Sequence, residues 1–432
     1  MPSSACPGPF HPSPPARRRF FRAATVRVVF SNVADIRAIQ EELRAGGTDA
    51  WLFYDIFHRD PIAYRILGLE EGLAKRRWFY LIPARGTPRK LVHRIEAGTL
   101  DALPGTKSVY SARGELEEGL ARLLKGFRMV AMQYSPRSEN PYVGTVDAGT
   151  VELVREHGVK VVSSADLVQN FEARWTPGQW RSHLAAGRVI DRIVSAAFRR
   201  AADFLRRGRR LTEYDLQQWM CDRFAEEDIV ADNPPVVACG ANSGNPHYEP
   251  SPRRTAAIRP GKVLLLDVWG KTKAPNAVYY DVTWTAFGGA RIPPAVEKIF
   301  GVVRQARDAA VDLVRRAVAE GRQLQGWQVD RACRSVIEKA GYGRRFTHRS
   351  GHSIGREVHG NGANIDDFET HDTRRLVPRT CFSIEPGIYL AEFGIRSEVD
   401  VYIDGQSARV TGAVQQAMIP LLATGAGQRQ GR

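Results

Sequence analysis

The hydrophobic and polar positions along the chain predict a mixed α/β fold in two parts. In the first part, apolar runs of strand length alternate with segments of helical periodicity. A helix is predicted to begin at an Asn32 cap and to end at Gly46 and Gly47, since glycine readily adopts the left-handed backbone that closes a helix. The other elements expected here are strands at 50–55, 77–83, 89–95, 128–133 and 159–163 and helices at 115–124 and 146–156.

The second part repeats one order of elements, a helix pair followed by strands. The predicted helices cover 177–205, 212–226, 294–320 and 327–340, and the strands cover 234–239, 262–269, 278–287, 346–359, 381–391 and 394–403. This order predicts two structurally related halves, although no literal sequence repeat accompanies it. The chain is therefore divided into a basic leader at 1–31, expected to be disordered, a first domain at 32–170 and a second domain at 171–425.

Composition narrows the class of protein. The 432 residues are 43% hydrophobic and 25% charged, as in globular proteins that can build two substantial cores. No apolar run reaches the ~20 residues of a membrane-spanning helix. The cysteines are scattered and odd in number: Cys6, Cys221, Cys239, Cys333 and Cys381. They favour reduced thiols and a cytoplasmic location over a disulfide framework or a zinc site.

The net charge of +15 raises the question of a nucleic-acid partner. Residues 1–34 contain five arginines and no acidic residue, so they account for +5 and the rest of the chain for +10. That remainder lies mostly in arginine pairs on predicted helices, without interleaved aromatic residues. Solvated helix faces explain this pattern, and we expect neither a nucleic-acid nor a membrane partner.

Acidic residues stand in apolar strands of the second part, where a carboxylate is costly unless it has a partner. Asp267 ends the first such strand, and Asp281 shares one face of the next strand with Thr283. A hairpin of these two strands would bring both aspartates together. Glu385 lies in a later apolar strand, and Glu398 shares a strand face with Arg396. Each acid alone is more simply read as a surface or salt-bridged carboxylate.

Three histidines, His348, His352 and His359, fall in the stretch 347–359. Their spacing fits one face of a helix, but the interleaved glycines and serines favour an extended or looping backbone near a bound ion or substrate. Oxygen ligands with one imidazole suit Mn²⁺, Co²⁺ or Zn²⁺, and four carboxylates suit a pair of ions ~3.5–4 Å apart. The predicted metal ligands are Asp267, Asp281, His352, Glu385 and Glu398.

The order Asp, Asp, His, Glu, Glu resembles the pita-bread metallopeptidases, which include Xaa-Pro aminopeptidases, prolidases and methionine aminopeptidases. The motifs are Leu265-Leu266-Asp267, Tyr280-Asp281-Val282-Thr283, Gly351-His352-Ser353-Ile354-Gly355, Ile384-Glu385-Pro386-Gly387 and Ile395-Arg396-Ser397-Glu398. The resemblance covers about 175–420. Residues 32–166 look, more loosely, like the creatinase-type N-terminal domain of the proline-specific branch, which methionine aminopeptidases lack.

The resemblance implies a fold and a set of roles. The fold is an α/β (α+β) protein in which a creatinase-type N-terminal α/β domain precedes a pseudo-twofold pita-bread catalytic domain. Two ions, most readily Mn²⁺ with Co²⁺ or Zn²⁺ as alternatives, are bridged by Asp281 and Glu398. His247 lies near the scissile bond and His359 contacts the substrate carbonyl.

Glu385 is the candidate for moving a proton from a water shared by the ions to the leaving nitrogen. His348 and Arg396 match positions that line the proline side of the pocket. The implied activity is hydrolysis of Xaa-Pro bonds in dipeptides or at peptide N-termini, by a homodimer whose partner is a peptide with proline second. The alternatives are a binding module without activity and a hydrolase of other amides or esters.

Three features depart from the family pattern. The loop 270–278 is longer than usual, Trp284 stands where arginine is common, and Arg379 replaces a common glycine in the turn before the Glu385 strand. None removes a predicted ligand. We expect the loop and Trp284 to lie near the substrate and to affect specificity.

Overall fold

A computed structural model describes residues 35–69 and 74–423. Its first part is a six-stranded sheet in the order β4-β3-β2-β1-β5-β6. The strands are β1 (Ala50–Asp55), β2 (Trp78–Pro83), β3 (Arg89–His93), β4 (Thr106–Tyr110), β5 (Met129–Met132) and β6 (Lys160–Ser163). The helices around it are α1 (Ile36–Ala45), α2 (Pro61–Leu67), α3 (Arg113–Leu124), α4 (Ala148–Glu156) and α5 (Ala165–Val168). Strand β1 lies at the centre, antiparallel to β2 and parallel to β5.

Both faces of this sheet are covered. Trp51 and Phe53 of β1 pack on one side, whereas Leu52 and Tyr54 pack on the other. All residues of β1 are buried, which explains why the strand reads as a continuous apolar run rather than an alternating one.

The second part contains two helix pairs, each packed against strands. The helices are α6 (Pro177–Arg206), α7 (Glu213–Glu226), α8 (Pro294–Ala319) and α9 (Gly326–Lys339). The strands are β7 (Ile229–Val230), β8 (Val236–Cys239), β9 (Val263–Thr272), β10 (Tyr280–Phe287), β11 (Ser353–Ile354), β12 (Cys381–Ile384), β13 (Gly387–Tyr389), β14 (Gly394–Arg396), β15 (Val399–Ile403), β16 (Ala408–Thr411) and β17 (Ile419–Pro420).

The strands form two main sheets, each with its own helix pair. Helices α6 and α7 pack on β8, β9 and β10, and helices α8 and α9 pack on β12 and β15. The first sheet has the order β17-β10-β9-β7 with β8 also paired to β9, and the second has the order β11-β12-β15-β16. The predicted succession of helix pair and strands, occurring twice, is therefore found.

Several boundaries differ from the predictions. Helix α1 begins after Asp35, whose carboxylate accepts from the N–H of Arg37, rather than at Asn32, which lies outside the described residues. Helix α2 and strands β4 and β16 were not predicted. The first four residues of β4, Thr106 to Val109, are all exposed, so the strand lacks the buried alternation that marks a strand in sequence.

Three predicted strands are shorter than expected. Within 346–359 only Ser353–Ile354 is a strand, because the backbone of this stretch bonds other segments: Ser350 accepts from the N–H of Glu385. The predicted strand 381–391 is interrupted between β12 and β13 at Glu385 and Pro386, and 394–403 is interrupted between β14 and β15. Proline lacks the N–H that a continuous strand requires.

Cys221, Cys239, Cys333 and Cys381 are free thiols, as predicted, whereas Cys6 and the predicted leader lie outside the described residues. Within 35–69 and 74–423, every helix falls short of the combined length and apolar character needed to cross a bilayer.

Candidate metal centre

The β9–β10 hairpin supplies the two predicted aspartates. Its antiparallel register sets Thr283 opposite Asp267 and Asp281 opposite Trp269, so the two aspartates are diagonal neighbours on one face. The sequence-based expectation of a hairpin that joins them is confirmed. The opposite face of β10 packs against α6 and α7, and this is where Trp284 lies. The expectation that Trp284 lies near the substrate is therefore wrong, because strand alternation turns it away from the aspartates.

Asp281, His352 and Glu398 converge in the interior. One potential ligand atom from each lies within 4.8 Å of the others, and all three residues are buried. His352 Nε2 is 3.6 Å from Asp281 Oδ2 and 3.5 Å from Glu385 Oε1. These distances are long for hydrogen bonds, but two ligands each ~2.1 Å from one tetrahedral ion lie roughly 3.4 Å apart. The arrangement fits a shared cation.

The Thr283 hydroxyl connects the remaining acids. Its Oγ1 is 2.7 Å from Glu398 Oε2 and 3.2 Å from Asp267 Oδ1, and it accepts from Arg396 Nε at 2.9 Å. Arg396 also forms a buried ion pair with Asp267. The structure thus brings the five predicted ligands into one region, with a threonine and an arginine holding two of them.

The acids repel one another in a site shielded from water. Burial, followed by the charge of Asp267, raises the pKa of Asp281 well above its ordinary value, and burial followed by the charge of Asp281 does the same for Glu398. Burial raises the pKa of Glu385 to about 7. Asp281 Oδ1 is buried without a hydrogen-bond partner in the described part of the chain. A divalent cation would satisfy this oxygen and offset the repulsion, so the donor set fits a metal.

The four candidate histidines occupy different settings. His348 is held by the carbonyl oxygen of Arg349 at 2.6 Å and by the hydroxyl of Tyr389 at 2.7 Å. Burial, followed by the charge of Arg396, lowers its pKa to about 3. The exposed ring of His359 packs edge-on against His352, with centroids 4.4 Å apart. His247 is also exposed, and its backbone N–H donates to Asn245 Oδ1 at 3.0 Å.

Asp400 is a site residue that the sequence reasoning missed. Its Oδ2 accepts from the N–H of Asp281 at 2.9 Å, and its side chain is fully buried. The signal was available, since Asp400 stands in an apolar strand two positions after Glu398. Tyr389, which bonds both His348 and Arg396, had no such signal because a tyrosine in an apolar strand is ordinary core.

Comparison with known proteins identifies the family. The model of metallopeptidase family M24 matches residues 186–405, about half of the chain. The chain belongs to metallopeptidase family M24. The matched range contains all five predicted ligands.

Relatives in this family differ in how much they share with the chain. YkvY of Bacillus subtilis is 34% identical over 174 residues, which cover 40% of this chain and 43% of YkvY. The Xaa-Pro dipeptidase of Lactobacillus delbrueckii subsp. lactis is 31% identical over 170 residues, 38% of this chain and 40% of that protein. Each match thus spans less than half of the relative's length.

The fold extends beyond the family match. The crystal structure of dipeptidase PepE from Mycobacterium ulcerans superposes with a TM-score of 0.65 and 22% identity, covering 89% of this chain and 96% of PepE. The expected pita-bread arrangement with a preceding α/β domain is confirmed at the level of fold.

Proposed function

We propose that this M24 protein is a dinuclear-metal peptidase that hydrolyses Xaa-Pro bonds. The observation that carries the proposal is the buried group of carboxylates around His352, with Asp281 Oδ1 left without a partner. Asp267, Asp281, His352, Glu385 and Glu398 would hold the ions, with Mn²⁺ the first metal to test. Bound divalent ions supply Lewis acidity, which activates water near neutral pH and polarises a carbonyl group.

The chain's own residues then have separate tasks. Glu385, with its pKa raised by burial to about 7, can accept a proton from water and deliver it to the leaving nitrogen. His359 and His247 stand on the exposed side, where they can donate hydrogen bonds to the substrate carbonyl oxygen as it gains charge. His348 and Arg396, both fixed by Tyr389, would form the wall on the proline side.

The names of two similar proteins support the proposed substrate class. A protein that shares 31% identity with this chain over 170 residues is an Xaa-Pro dipeptidase, and a structure with the same fold is the Xaa-Pro dipeptidase from Bacillus anthracis. We therefore propose a peptide with proline in the second position as substrate. A homodimer as the active form is proposed only because the sequence resembles the proline-specific branch.

Metal analysis paired with an activity assay tests the proposal. The purified protein is expected to bind about two ions per chain and, with Mn²⁺, to cleave Xaa-Pro peptides. Asp281→Asn should lose metal and lower activity by more than about 100-fold, since loss of an outer-shell partner alone costs ~10–100-fold. Asp312→Asn, an exposed change on α8, is the matched control and should behave as wild type. An Asp281→Asn protein with full activity would rule out the proposed centre.

A second variant separates the ligands from the substrate-contacting groups. His359→Ala should lower turnover while metal content stays at the wild-type level, because only His352 of this pair is assigned as a ligand. Loss of metal from His359→Ala would reverse that assignment. Metal binding without cleavage of any Xaa-Pro peptide would instead direct the search to other amides and esters.

A further inference from the structure

Five arginines are buried in the described part of the chain, and their partners differ. They are Arg307, Arg334, Arg349, Arg374 and Arg396. Four of them form an ion pair with a carboxylate. Arg307 pairs with Asp308 at 2.7 Å, Arg334 with Asp330 at 3.0 Å and Arg374 with Asp372 at 2.6 Å, and Arg396 pairs with Asp267. Within 35–69 and 74–423, no carboxylate lies within 4.0 Å of the Arg349 guanidinium. A buried cation without an anion is costly, so its retention points to an anionic ligand.

The group that Arg349 does contact comes from the first part of the chain. Its Nη1 donates to the hydroxyl of Tyr142, 207 positions away in sequence, and its guanidinium stacks 5.3 Å from the Tyr142 ring centre. Because that hydroxyl accepts from Arg349, its own proton remains available for a further acceptor. Glu369 binds only the backbone N–H of Arg349, at 3.2 Å. Arg349 and Tyr142 therefore present donors and no acceptor carboxylate.

Arg349 lies beside the candidate metal centre. It stands between His348 and His352 in the chain, and its carbonyl oxygen bonds the His348 ring. Partial shielding of the His359 ring from water by the surrounding protein is the main cause of its lowered pKa, and the Arg349 charge is the next. Arg349 also acts on the pKa of Glu385, against the larger effect of burial. Its charge is thus within electrostatic range of both groups assigned to the reaction.

We propose that Arg349 and Tyr142 bind the C-terminal carboxylate of the substrate and so favour free Xaa-Pro dipeptides over longer peptides. In a dipeptide this carboxylate belongs to the proline that leaves, next to the scissile bond. A longer peptide places a neutral amide there and leaves the cation unpaired. This inference rests on the proposed function and adds to it the length of the substrate and a contribution from the first part of the chain.

The test compares one Xaa-Pro dipeptide with its C-terminal amide, using the metal-loaded enzyme. Wild type should favour the free acid by about 10- to 100-fold in kcat/KM, expressed mainly in KM. Arg349→Met should lose that preference, measured as the ratio of kcat/KM for the acid to kcat/KM for the amide, so that an effect of the variant on both substrates cancels. Tyr142→Phe, which removes only the hydroxyl, should lose part of it. Arg345→Met removes the same charge from an exposed position and should keep the wild-type preference.

The outcomes separate the two proposals. Cleavage of acid and amide at equal rates by wild type would overturn the carboxylate site and leave the peptidase proposal standing. Cleavage of neither would overturn both. A preference that persists in Arg349→Met, with wild-type metal content, would move recognition to another residue and overturn the assignment. If Arg349→Met does not fold, the wild-type comparison and Tyr142→Phe decide, since the loss of one hydroxyl keeps the aromatic packing.

Discussion

His183 is fully buried in α6, where its ring nitrogens meet the carbonyl oxygen of Tyr279 at 2.6 Å and the hydroxyl of Thr411 at 2.8 Å. These contacts tie α6 to the end of the loop before β10 and to β16. Burial lowers the pKa of His183 to about 4, so the ring is neutral in the folded protein at neutral pH.

This pKa predicts acid sensitivity. The unfolded chain, with a histidine pKa near 6.5, binds the proton first, so the stabilising contribution is complete above pH ~6.5 and is lost as the pH falls toward 4. The free energy of unfolding should fall by about 2 kcal/mol from this residue between pH 7 and 5. Denaturant titrations of wild type and His183→Gln at both pH values measure it. The variant should lose less stability on acidification, and equal losses would contradict the assignment.

Arg379 has a left-handed backbone, with φ +66°, in the turn before β12. Hydrogen bonds fix this conformation, since its N–H donates to Ile403 O and its carbonyl accepts from Trp175, both at 2.6 Å. The sequence had already marked Arg379 as standing in place of a glycine. Replacing an L-residue here by glycine relieves backbone strain of about 1 kcal/mol.

Arg379→Gly should therefore be more stable than Arg379→Ala by about 1 kcal/mol, because both remove the side chain and only glycine removes the strain. The free energies of unfolding of the two variants are compared with each other. The effect of losing the arginine side chain is common to both and cancels. If alanine proves as stable as glycine, this turn carries no strain.

At the scale of elements, the close approach of the 347–359 stretch to β12 explains why residue 351 is a glycine. A Cβ built on Gly351 would stand 2.0 Å from the carbonyl oxygen of Ser383, whereas on Gly355 the nearest atom is 3.9 Å away. Gly351 thus lets two backbones come close enough for Ser383 to bond the candidate ligand His352, whose backbone N–H donates to Ser383 Oγ at 3.0 Å.

Gly351→Ala is expected to displace His352, weakening metal binding by at least 10-fold and lowering the melting temperature, since the clash is with backbone. Gly355→Ala is the matched control and should retain both properties. Metal titration and thermal unfolding of the pair test this. Equal behaviour of the two variants would show that the backbone approach does not matter for the site.

The elements also show what periodicity can and cannot predict. The long helices α6 and α8 and the hairpin strands were predicted to within a few residues, because their apolar patterns are long. The breaks at Glu385-Pro386 and Ser397-Glu398 were not, since both lie in apolar surroundings that read as continuous strand. In both places the chain leaves the strand where it carries a candidate metal ligand, so a requirement of the site overrides the local pattern.

At the scale of the whole molecule, the contacts that unite the two parts join residues far apart in sequence. The Arg349–Tyr142 contact is one of them. A local sequence pattern cannot predict it, because the two residues are 207 positions apart. The five candidate metal ligands could be proposed from sequence for the opposite reason, since each lies in a short motif with its own composition. The division of the chain at residue 170 stays a prediction. The residues around it form a junction at which side chains of the first and second parts contact one another.

Glu172 is the centre of that junction. It lies in a π-helical turn, Gln169–Ala173, between α5 and α6, and its side chain is 5% exposed. Its carboxylate meets Arg65 of α2 at 2.6 Å, Arg356 at 2.8 Å and Asn361 at 3.3 Å. The Glu172 carboxylate therefore connects helix α2 of the first part to the loop that carries His359.

Glu172→Ala should lower the free energy of unfolding by about 1–3 kcal/mol, because it leaves the partly buried guanidinium groups of Arg65 and Arg356 without their carboxylate partner. The loop around His359 should also loosen, seen as faster amide hydrogen exchange at 355–361 and a lower kcat/KM with metal content unchanged. Glu226→Ala breaks an exposed pair with Arg223 and should change stability by less than about 0.5 kcal/mol. If Glu172→Ala changes stability but not exchange or activity, the junction holds the two parts together without ordering the site. If all three change together, the first part of the chain supports the reaction as well as the fold.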